Sequence, residues 1–285
     1  MSIRLENVSY SYGKNQAIKN VNVDIKYGEF IAIIGHIGSG KSTFIQMLNG
    51  LKIPTKGSIY LDGEKVTKKD YQRGKLINKV SIVFQYPEQQ LFEKTVIKDV
   101  CYGLINRDLS DEERLKKAEA ALETVKIDKG NFYSSPFELS GGQKRRVAIA
   151  GVLAMDLDVI VLDEPTAGLD PIGKNDILGI LKDLNQKHNK TIVLVSHDMN
   201  DVCEYADRVI AINKGEIVFD DIPREVFKNK KELESMGIIL PEANILLRNL
   251  KDKGFSVDAS LVGIDETVDE IYDCLITRRC LNEKS

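Results

Sequence analysis

The fold is decided by the segment FIAIIGHIGSGKST, residues 30–43. Its first five residues form a continuous apolar run, which is typical of a strand buried on both faces in a parallel sheet. Residues 35–42 then match the pattern G-x-x-x-x-G-K-S/T, and an apolar helical pattern follows. Strand, glycine loop and helix N-terminus in this order are the context that a phosphate-binding loop requires. Backbone N–H groups and the helix dipole attract phosphate oxygens there, so a plain glycine turn is the weaker interpretation.

Similar apolar runs occur at 80–84, 159–162 and 192–195, with helical patterns between them. Strands that alternate with helices predict an α/β domain with a mostly parallel sheet. Each of these runs is followed by polar residues or glycine.

The N-terminal region has a different pattern. Ile3, Leu5 and Asn7 alternate with their neighbours, and the same alternation returns at 21–25 after a turn that contains Gly13. A period of two residues predicts antiparallel strands with one solvated face. We therefore expect Ile3, Leu5 and Asn7 to point to the same side.

The chain is expected to divide near residue 221. The main domain would span residues 1–221, with a helical subdomain at about 86–157 that includes a helix opened by the capping box at Ser110. Residues 222–285 would form a small helical C-terminal extension with helices at 223–227, from about 241 and from about 266. So short a segment is expected to pack on the main domain or on a partner.

Composition limits the possible partners. The 285 residues carry 40 Lys and Arg against 43 Asp and Glu, a net charge of −3, which argues against a nucleic-acid binder. No apolar run approaches the roughly 18 residues of a membrane span, so any membrane role is expected to be peripheral. The basic runs 144–146 and 278–279 are predicted to be solvated helix faces rather than phosphate or lipid contacts.

Two acids are predicted to complete the phosphate site. Asp163 and Glu164 follow the apolar run 159–162, and charges at such a place are costly unless they meet a cation or a polar ligand. If the chain works as phosphate-loop enzymes do, Lys41 would hold the β- and γ-phosphates, while Ser42 and Asp163 would bind Mg²⁺. Glu164 would act as the general base or position the attacking water.

A further glycine motif, Leu139-Ser140-Gly141-Gly142-Gln143, precedes an apolar helical pattern. Ser140 is a plausible N-cap, and the two glycines permit close backbone approach to an anion. Alone, the motif could be only a helix start.

The complete set of motifs resembles the nucleotide-binding subunits of ABC transporters, over roughly residues 1–220. The set contains Tyr12, the phosphate loop, Gln85, the signature LSGGQ, Asp163-Glu164, the loop Ala167-Gly168-Leu169-Asp170, and His197. The resemblance implies the ABC fold, namely a mostly parallel α/β core with an antiparallel β subdomain and a helical subdomain. It also implies ATP hydrolysis with ATP and Mg²⁺ bound.

The resemblance also implies a role for each residue. Glu164, His197 and Gln85 would be catalytic, and Ser42, Gln85 and Asp163 would contact the metal. ATP would be bound by Tyr12, which stacks on adenine, and by Gly35, His36, Ile37, Gly38, Ser39, Gly40, Lys41, Ser42 and Thr43. Ser140, Gly141, Gly142 and Gln143 would bind ATP held by a second chain, and Asp170 would couple the two sites. Tyr10 is the alternative to Tyr12, and a structural histidine is the alternative for His197.

The segment FQYPEQQLF, residues 84–92, is similar to energy-coupling factor (ECF) transporter ATPases of the EcfA/CbiO type. Such an ATPase would lie peripherally on the cytoplasmic side of the cell membrane. It would pair with a second ATPase chain, as a heterodimer with a paralogue or as a homodimer, and with a transmembrane coupling protein and a substrate-binding membrane component. It would power the import of vitamins or transition-metal ions.

Other classes remain as alternatives to the ECF interpretation. A soluble, non-transport ABC ATPase of iron–sulfur assembly or of the ribosome is the main one, and a phosphate-loop kinase or a regulatory nucleotide-binding module fits less well. One residue departs from the family pattern. Ile37 stands where the family usually has a small polar residue.

Overall fold

The computed structural model describes residues 2–276. The strands of this part of the chain are β1 Ser2–Tyr12, β2 Asn15–Lys26, β3 Phe30–Ile34, β4 Lys56–Leu61, β5 Glu64–Lys65, β6 Val80–Val83, β7 Val159–Asp163, β8 Thr191–Val195, β9 Arg208–Asn213 and β10 Glu216–Asp221. The α-helices are α1 Lys41–Leu48, α2 Lys68–Gln72, α3 Val96–Tyr102, α4 Asp111–Thr124, α5 Gly141–Ala154, α6 Pro171–His188, α7 Met199–Tyr205, α8 Pro223–Phe227, α9 Lys230–Ser235, α10 Glu242–Asp252 and α11 Ile264–Ile276. Short 3-10 helices lie at Pro87–Gln90, Lys129–Asn131 and Pro136–Glu138.

The core is a six-stranded sheet in the order β10-β9-β3-β8-β7-β6. All its pairings are parallel except that of β10 with β9. Every residue of β3 and β8 is buried, because helices and the second sheet cover both faces. The second sheet is antiparallel, with the order β2-β1-β4-β5. The predicted α/β architecture, with a mostly parallel core sheet, an antiparallel β region and a helical region, is confirmed.

The predicted orientation of Asn7 is wrong. Ile3 and Leu5 are buried, but Asn7 is exposed and has a left-handed backbone with φ of 49°. The pairing of β1 with β2 shifts register between Leu5 and Val8, so Val8 takes the buried position instead. The N–H of Asn7 donates to Asn22 Oδ1 at 2.8 Å, which holds this irregularity from the neighbouring strand.

The helical region between β6 and β7 packs on the sheet. α4 begins as predicted, with Ser110 and Glu113 forming a capping box. α3, α4 and α5 share one apolar cluster with the sheet residues Phe30 and Leu162. Packing in this cluster holds α5 on the sheet, and it therefore also places the glycine motif at the N-terminus of α5.

The interpretation of residues 144–146 as a solvated face is wrong for Arg145, which is 3% exposed. Its Nε and Nη2 donate to the two carboxylate oxygens of Glu88 at 3.0 and 2.8 Å. Its Nη1 donates to the carbonyl oxygens of Pro165 and Ala167. A buried guanidinium needs such a complete set of acceptors, and here it ties α5 to the segments that follow β6 and β7. The second basic run, 278–279, lies outside the described residues.

The segment after β10 packs on the core sheet at β3 and β9. Phe227 and Leu233 are fully buried in a cluster with Ala32 and Ile34 of β3. α10 and α11 begin within two residues of the predicted positions, and α9 is an additional helix. The boundary at residue 221 remains a prediction, since these helices share their core with the sheet.

Candidate active site

The phosphate loop joins β3 to α1, and two of its backbone positions can be occupied only by glycine. Gly40 has φ of 114°, and a Cβ there would meet Ala17 O at 2.7 Å. At Gly35, where φ is 151°, a Cβ would lie 2.2 Å from Ile212 O. Both positions therefore exclude other residues, and the loop is held against β2 and the end of β9. A loop of this kind, which leads into a helix N-terminus, can bind phosphate through its backbone N–H groups.

The side chain of Lys41 lies against this loop. Its Nζ donates to the carbonyl oxygens of Gly35 and His36 at 2.7 and 3.1 Å. Burial lowers the pKa of the Lys41 ammonium, although the nearby Glu164 and Asp163 oppose that shift. Ser39 Oγ is buried and has no hydrogen-bond partner among residues 2–276. A buried hydroxyl without a partner is costly, and phosphate oxygens in the loop would satisfy both groups.

Ser42 and Asp163 meet across the edge of the sheet. Ser42 Oγ donates to Asp163 Oδ2 at 3.2 Å, so a hydroxyl and a carboxylate converge there. Burial raises the pKa of Asp163, and the negative charge of Glu164 acts in the same direction. No group of three or more His, Cys, Asp or Glu side chains suited to a metal exists within residues 2–276. Mg²⁺ commonly takes one or two protein oxygens and completes its shell with phosphates and water, so this pair fits Mg²⁺ bound together with a nucleotide.

Glu164 is the meeting point of three strand ends. It follows Asp163 at the end of β7 with a left-handed φ of 50°. His197, which follows β8, places Nε2 at 2.7 Å from Glu164 Oε1. Gln85, which follows β6, donates from Nε2 to Glu164 Oε2 at 3.3 Å. Parallel strands bring these side chains to one edge, and the carboxylate is oriented from two sides.

Tyr12 lies beside the phosphate loop. Its ring is 48% exposed, and its hydroxyl is 3.3 Å from Thr43 Oγ1. It lines a cavity of about 540 Å³ that also contains Gly40, Lys41 and Lys214. Tyr10, the alternative, packs against the apolar core and meets the Tyr12 ring edge-on. The geometry therefore favours Tyr12 as the aromatic residue that a nucleotide base would reach.

The other residues of the loop differ in exposure. Thr43 is buried at the start of α1. His36 Nε2 lies 3.2 Å from Asn213 Oδ1, which links the loop to the end of β9. The side chain of Ile37 is 89% exposed. This departure from the family pattern therefore costs the fold no packing, and the residue is presented at the surface.

The signature motif stands at the N-terminus of α5, apart from these contacts. Ser140 caps the helix and forms a capping box with Gln143. A Cβ at Gly141 or Gly142 would meet nothing within 4 Å. Within residues 2–276, no hydrogen bond connects the motif to the phosphate loop or to Glu164. The structure thus brings together the predicted residues of one half-site and leaves the signature outside it.

Asp170 begins the next helix in the same manner. It caps α6, and its Oδ1 accepts from the N–H of Gly173 at 2.7 Å. The loop before it, which contains Ala167 and Gly168, supplies a carbonyl acceptor to Arg145.

Sequence reasoning missed several side chains near the site. Lys52 Nζ lies 4.7 Å from the centre of the Tyr12 ring, and Lys214 lines the same cavity. Lys174 donates to Asp198, the neighbour of His197. None of these lysines stands in a motif, and each acts across a long stretch of chain, so no local pattern could have found it.

The fold and this site define a phosphate-loop ATPase, and comparisons with known proteins agree. A family model described as ABC transporter matches residues 18–167. The energy-coupling factor transporter ATP-binding protein EcfA2 of Clostridium tetani (strain Massachusetts / E88) is 48% identical over 277 residues, which cover 95% of this chain and 96% of that protein. Its counterpart from Clostridium perfringens (strain 13 / Type A) is 47% identical over 281 residues, which cover 96% of this chain and 99% of that protein.

Solved structures give the same answer. CbiO1 from Clostridium perfringens, described as part of the ABC transporter complex CbiONQ, superposes with a TM-score of 0.74 at 37% identity and covers 86% of this chain and 98% of its own. The ATP-binding cassette MJ0796 was solved as a dimer in a post-hydrolysis state with ADP and Pi. It superposes with a TM-score of 0.68 at 35% identity, and the match covers 78% of this chain and 98% of the MJ0796 chain.

The chain therefore belongs to the ABC transporter family. Within it, the chain belongs with the energy-coupling factor transporter ATP-binding proteins, so the family predicted from the sequence is confirmed. None of the relatives described above is named as a non-transport ABC ATPase, and the comparisons favour the importer over that alternative.

Proposed function

We propose that this chain is the ATP-hydrolysing motor subunit of an energy-coupling factor importer for vitamins or transition-metal ions, in which ATP-dependent closure of a dimer drives transport. The observation that carries the proposal is the convergence on one sheet edge of Ser42, Asp163 and Glu164 with Gln85 and His197. This is the arrangement that phosphoryl transfer to water needs, since its catalysis rests on positioning and electrostatics.

The phosphate loop would bind the triphosphate of ATP. Lys41 would exchange its two carbonyl acceptors for β- and γ-phosphate oxygens, and the N–H groups of the loop and of the α1 start would take the remaining oxygens. Tyr12 would stack on the adenine ring. The contact between Tyr12 and Thr43 would hold the ring beside the loop.

Ser42 and Asp163, with Gln85, would hold Mg²⁺, which neutralises charge on the phosphates when it is bound. Because burial raises the pKa of Asp163, the free carboxylate is disfavoured there. A cation beside it would favour the ionised form.

Glu164 would take a proton from the attacking water or orient that water. Its two oxygens are held by His197 and Gln85, so the direction of its free lone pairs is set before ATP arrives. His197 would also contact the γ-phosphate, and Gln85 would sense the transmembrane partner. Because the carboxylate is already oriented, little reorganisation remains for the reaction itself.

A second chain would complete the site. Ser140, Gly141, Gly142 and Gln143 are at the free end of α5 and would bind the γ-phosphate of ATP held by the phosphate loop of another chain. Asp170 would couple the two composite sites. A pair of paralogues is favoured, because the form Ala167-Gly168-Leu169 before Asp170 resembles one member of such pairs.

The remaining partners would be membrane proteins. No helix within residues 2–276 is long and apolar enough to cross a bilayer. A transmembrane coupling protein would hold the ATPase pair on the cytoplasmic side of the cell membrane, and a separate membrane component would bind the transported substrate.

The substitution Glu164→Gln tests the assignment of the base. It keeps the shape of the side chain but removes the proton acceptor, so we expect steady-state turnover to fall by about 10²-fold or more. ATP affinity, measured by titration of a labelled nucleotide, is expected to stay unchanged. The control is Glu232→Gln, an exposed position on α9, which should leave both values as they are. Unchanged turnover in Glu164→Gln would contradict the assignment.

Purification from detergent-solubilised native membranes tests the assembly. Mass spectrometry of a tagged copy should find a second, related ATPase, a multi-span coupling protein and a small membrane protein. Recovery of the chain only from the soluble fraction would overturn the transporter assignment and leave the ATPase assignment standing.

A further inference from the structure

A lysine on α6 holds two carboxylates that belong to the segment after β8. Lys174 Nζ donates to Asp198 Oδ2 at 2.5 Å and to Asp201 Oδ1 at 2.7 Å. Asp201 is only 5% exposed, and the Lys174 side chain is itself largely buried, at 24% exposure. An ion pair in such surroundings is screened less than a surface pair. This contact therefore differs from the exposed pair that Lys187 and Asp183 form on the same helix.

Asp198 controls the turn in which His197 stands. Its Oδ1 accepts from the N–H of Asn200 at 2.9 Å and from that of Asp201 at 3.4 Å, so it caps α7. Its own N–H donates to Ser196 Oγ at 3.1 Å. The residues on both sides of His197 are thus fixed by hydrogen bonds that involve Asp198, and the Asp198 carboxylate is in turn fixed by Lys174.

His197 has little else to hold it. Its side chain is 43% exposed, and its Nε2 contacts Glu164 Oε1 at 2.7 Å. Its position relative to Glu164 therefore depends on the backbone of the short turn between β8 and α7. A displacement of the α7 N-terminus would move His197 relative to the carboxylate that it orients.

We propose that Lys174 is a positioning residue for ATP hydrolysis, which acts through Asp198 to hold His197 against Glu164. The inference rests on the proposed function, because it concerns the same reaction. It also joins α6, whose first turn is capped by Asp170, to the segment of His197. Asp170 and His197, which come from different loops, are thereby held by one ion pair in a fixed relation.

Electrostatics explain why the lysine is needed. Without the Lys174 ammonium, Asp198 and Asp201 would be two neighbouring carboxylates, one of them buried. Their like charges would repel each other. Asp201 Oδ2 is already buried without a hydrogen-bond partner in the described part of the chain. α7 spans only seven residues, and so short a helix depends on its cap and its tertiary contacts. The repulsion would therefore be relieved by movement of its N-terminus.

The first test compares Lys174→Met with Lys174→Arg and with the control Lys187→Met. Lys187 is on the same helix and pairs with Asp183 in an exposed contact. We expect Lys174→Met to lower kcat about tenfold, a change typical of a misplaced catalytic group, with KM and ATP affinity unchanged. Lys174→Arg should restore most of kcat, and the control should match the wild type. An unchanged kcat in Lys174→Met would overturn the proposal.

The second test separates positioning from a general loss of structure. In a His197→Ala background the group that Lys174 positions is absent, so adding Lys174→Met should cause no further loss of turnover. A further tenfold loss in that background would show that Lys174 acts through general packing, and would overturn the proposal. If Lys174→Met fails to fold, Asp198→Asn serves in its place. Asparagine still caps α7 but attracts Lys174 less, so kcat should fall with KM unchanged, and a wild-type kcat would contradict the inference.

The outcome is separable from that of the proposed function. If the chain is not an ATPase of the proposed kind, Glu164→Gln turns over ATP as fast as the wild type. If only the role of Lys174 is wrong, Glu164→Gln is inactive and Lys174→Met is not impaired.

Discussion

The phosphate loop and the signature motif are both glycine-rich segments at helix N-termini, but their glycines differ in how closely other atoms surround them. In the loop, Gly35 and Gly40 are enclosed, and a Cβ at either would collide with backbone oxygens. In the signature, Gly141 and Gly142 face open space. Glycine in the phosphate loop thus allows the backbone to pass close to its neighbours, whereas glycine in the signature leaves the backbone accessible from outside.

The polar groups of the two regions differ in the same way. Lys41 is buried against two carbonyl oxygens, and Ser39 Oγ has no partner in the described part of the chain, so the loop contains groups that a phosphate would satisfy. Ser140 and Gln143 already satisfy each other in a capping box. The loop is therefore preformed for phosphate within the chain, whereas the ligand that we propose for the signature would be held by another chain.

The largest expected effect comes from Gly142→Asp. No side-chain clash opposes this change, but it puts a carboxylate where the γ-phosphate held by a second chain would bind. We expect turnover of the assembled complex to fall by about 10²- to 10³-fold, as for other losses of transition-state stabilisation. ATP binding to the isolated chain should be unchanged.

The control for this prediction is Gly179→Asp on α6, where a Cβ also meets nothing within 4 Å. It should keep wild-type turnover. If Gly142→Asp also weakened ATP binding by the isolated chain, the two regions would not be independent and the comparison would fail.

A smaller effect is expected on the side of the phosphate loop, at Tyr12. Tyr12→Ala removes the stacking surface and should weaken ATP affinity about tenfold, in line with roughly 1–3 kcal/mol per stacked base. Tyr12→Phe removes only the hydroxyl, with its contacts to Thr43 and Lys52, and should bind nearly as well as the wild type. Titration with a labelled ATP analogue measures both, and Tyr10→Ala provides the comparison. A larger loss in Tyr10→Ala than in Tyr12→Ala would reverse the assignment.

The smallest effect concerns stability. Burial raises the pKa of Asp163, so ionisation of this carboxyl destabilises the nucleotide-free fold. The cost is complete above the raised pKa, declines as pH falls below it, and is gone below the ordinary pKa of an aspartate. Asp163→Asn should therefore stabilise the chain at neutral pH by about 0.5–2 kcal/mol, as is common when a functional group is removed. Thermal unfolding without nucleotide or Mg²⁺ measures the gain, which should vanish in acid. A lower melting temperature at neutral pH would contradict the argument.

The sequence predicts the core well because its signals are local. Continuous apolar runs predict the strands β3, β6, β7 and β8, and the phosphate loop, Gln85, Glu164 and His197 follow the ends of these strands. Once parallel pairing is assumed, the strand ends must meet at one edge of the sheet. The apolar pattern and the motifs are therefore enough to expect Gln85, Glu164 and His197 together.

Long-range polar contacts could not be predicted in this way. Arg145 is buried because Glu88, 57 residues away in the chain, and two carbonyl oxygens surround it. Asn7 leaves the alternating pattern because Asn22 on the next strand bonds its backbone. Lys174 meets Asp198 only because α6 and α7 lie side by side. In each case the local pattern is unremarkable and the partner decides the outcome.

We expect the site for ATP on the phosphate loop to be complete only when a second chain supplies its signature. Sedimentation of the Glu164→Gln chain with its co-purified ATPase partner, with and without ATP, measures this dependence. The two chains should associate when ATP is present, and the association should be lost when Gly142→Asp is added. Association of equal strength in the Gly142→Asp chain would show that the signature does not complete the site.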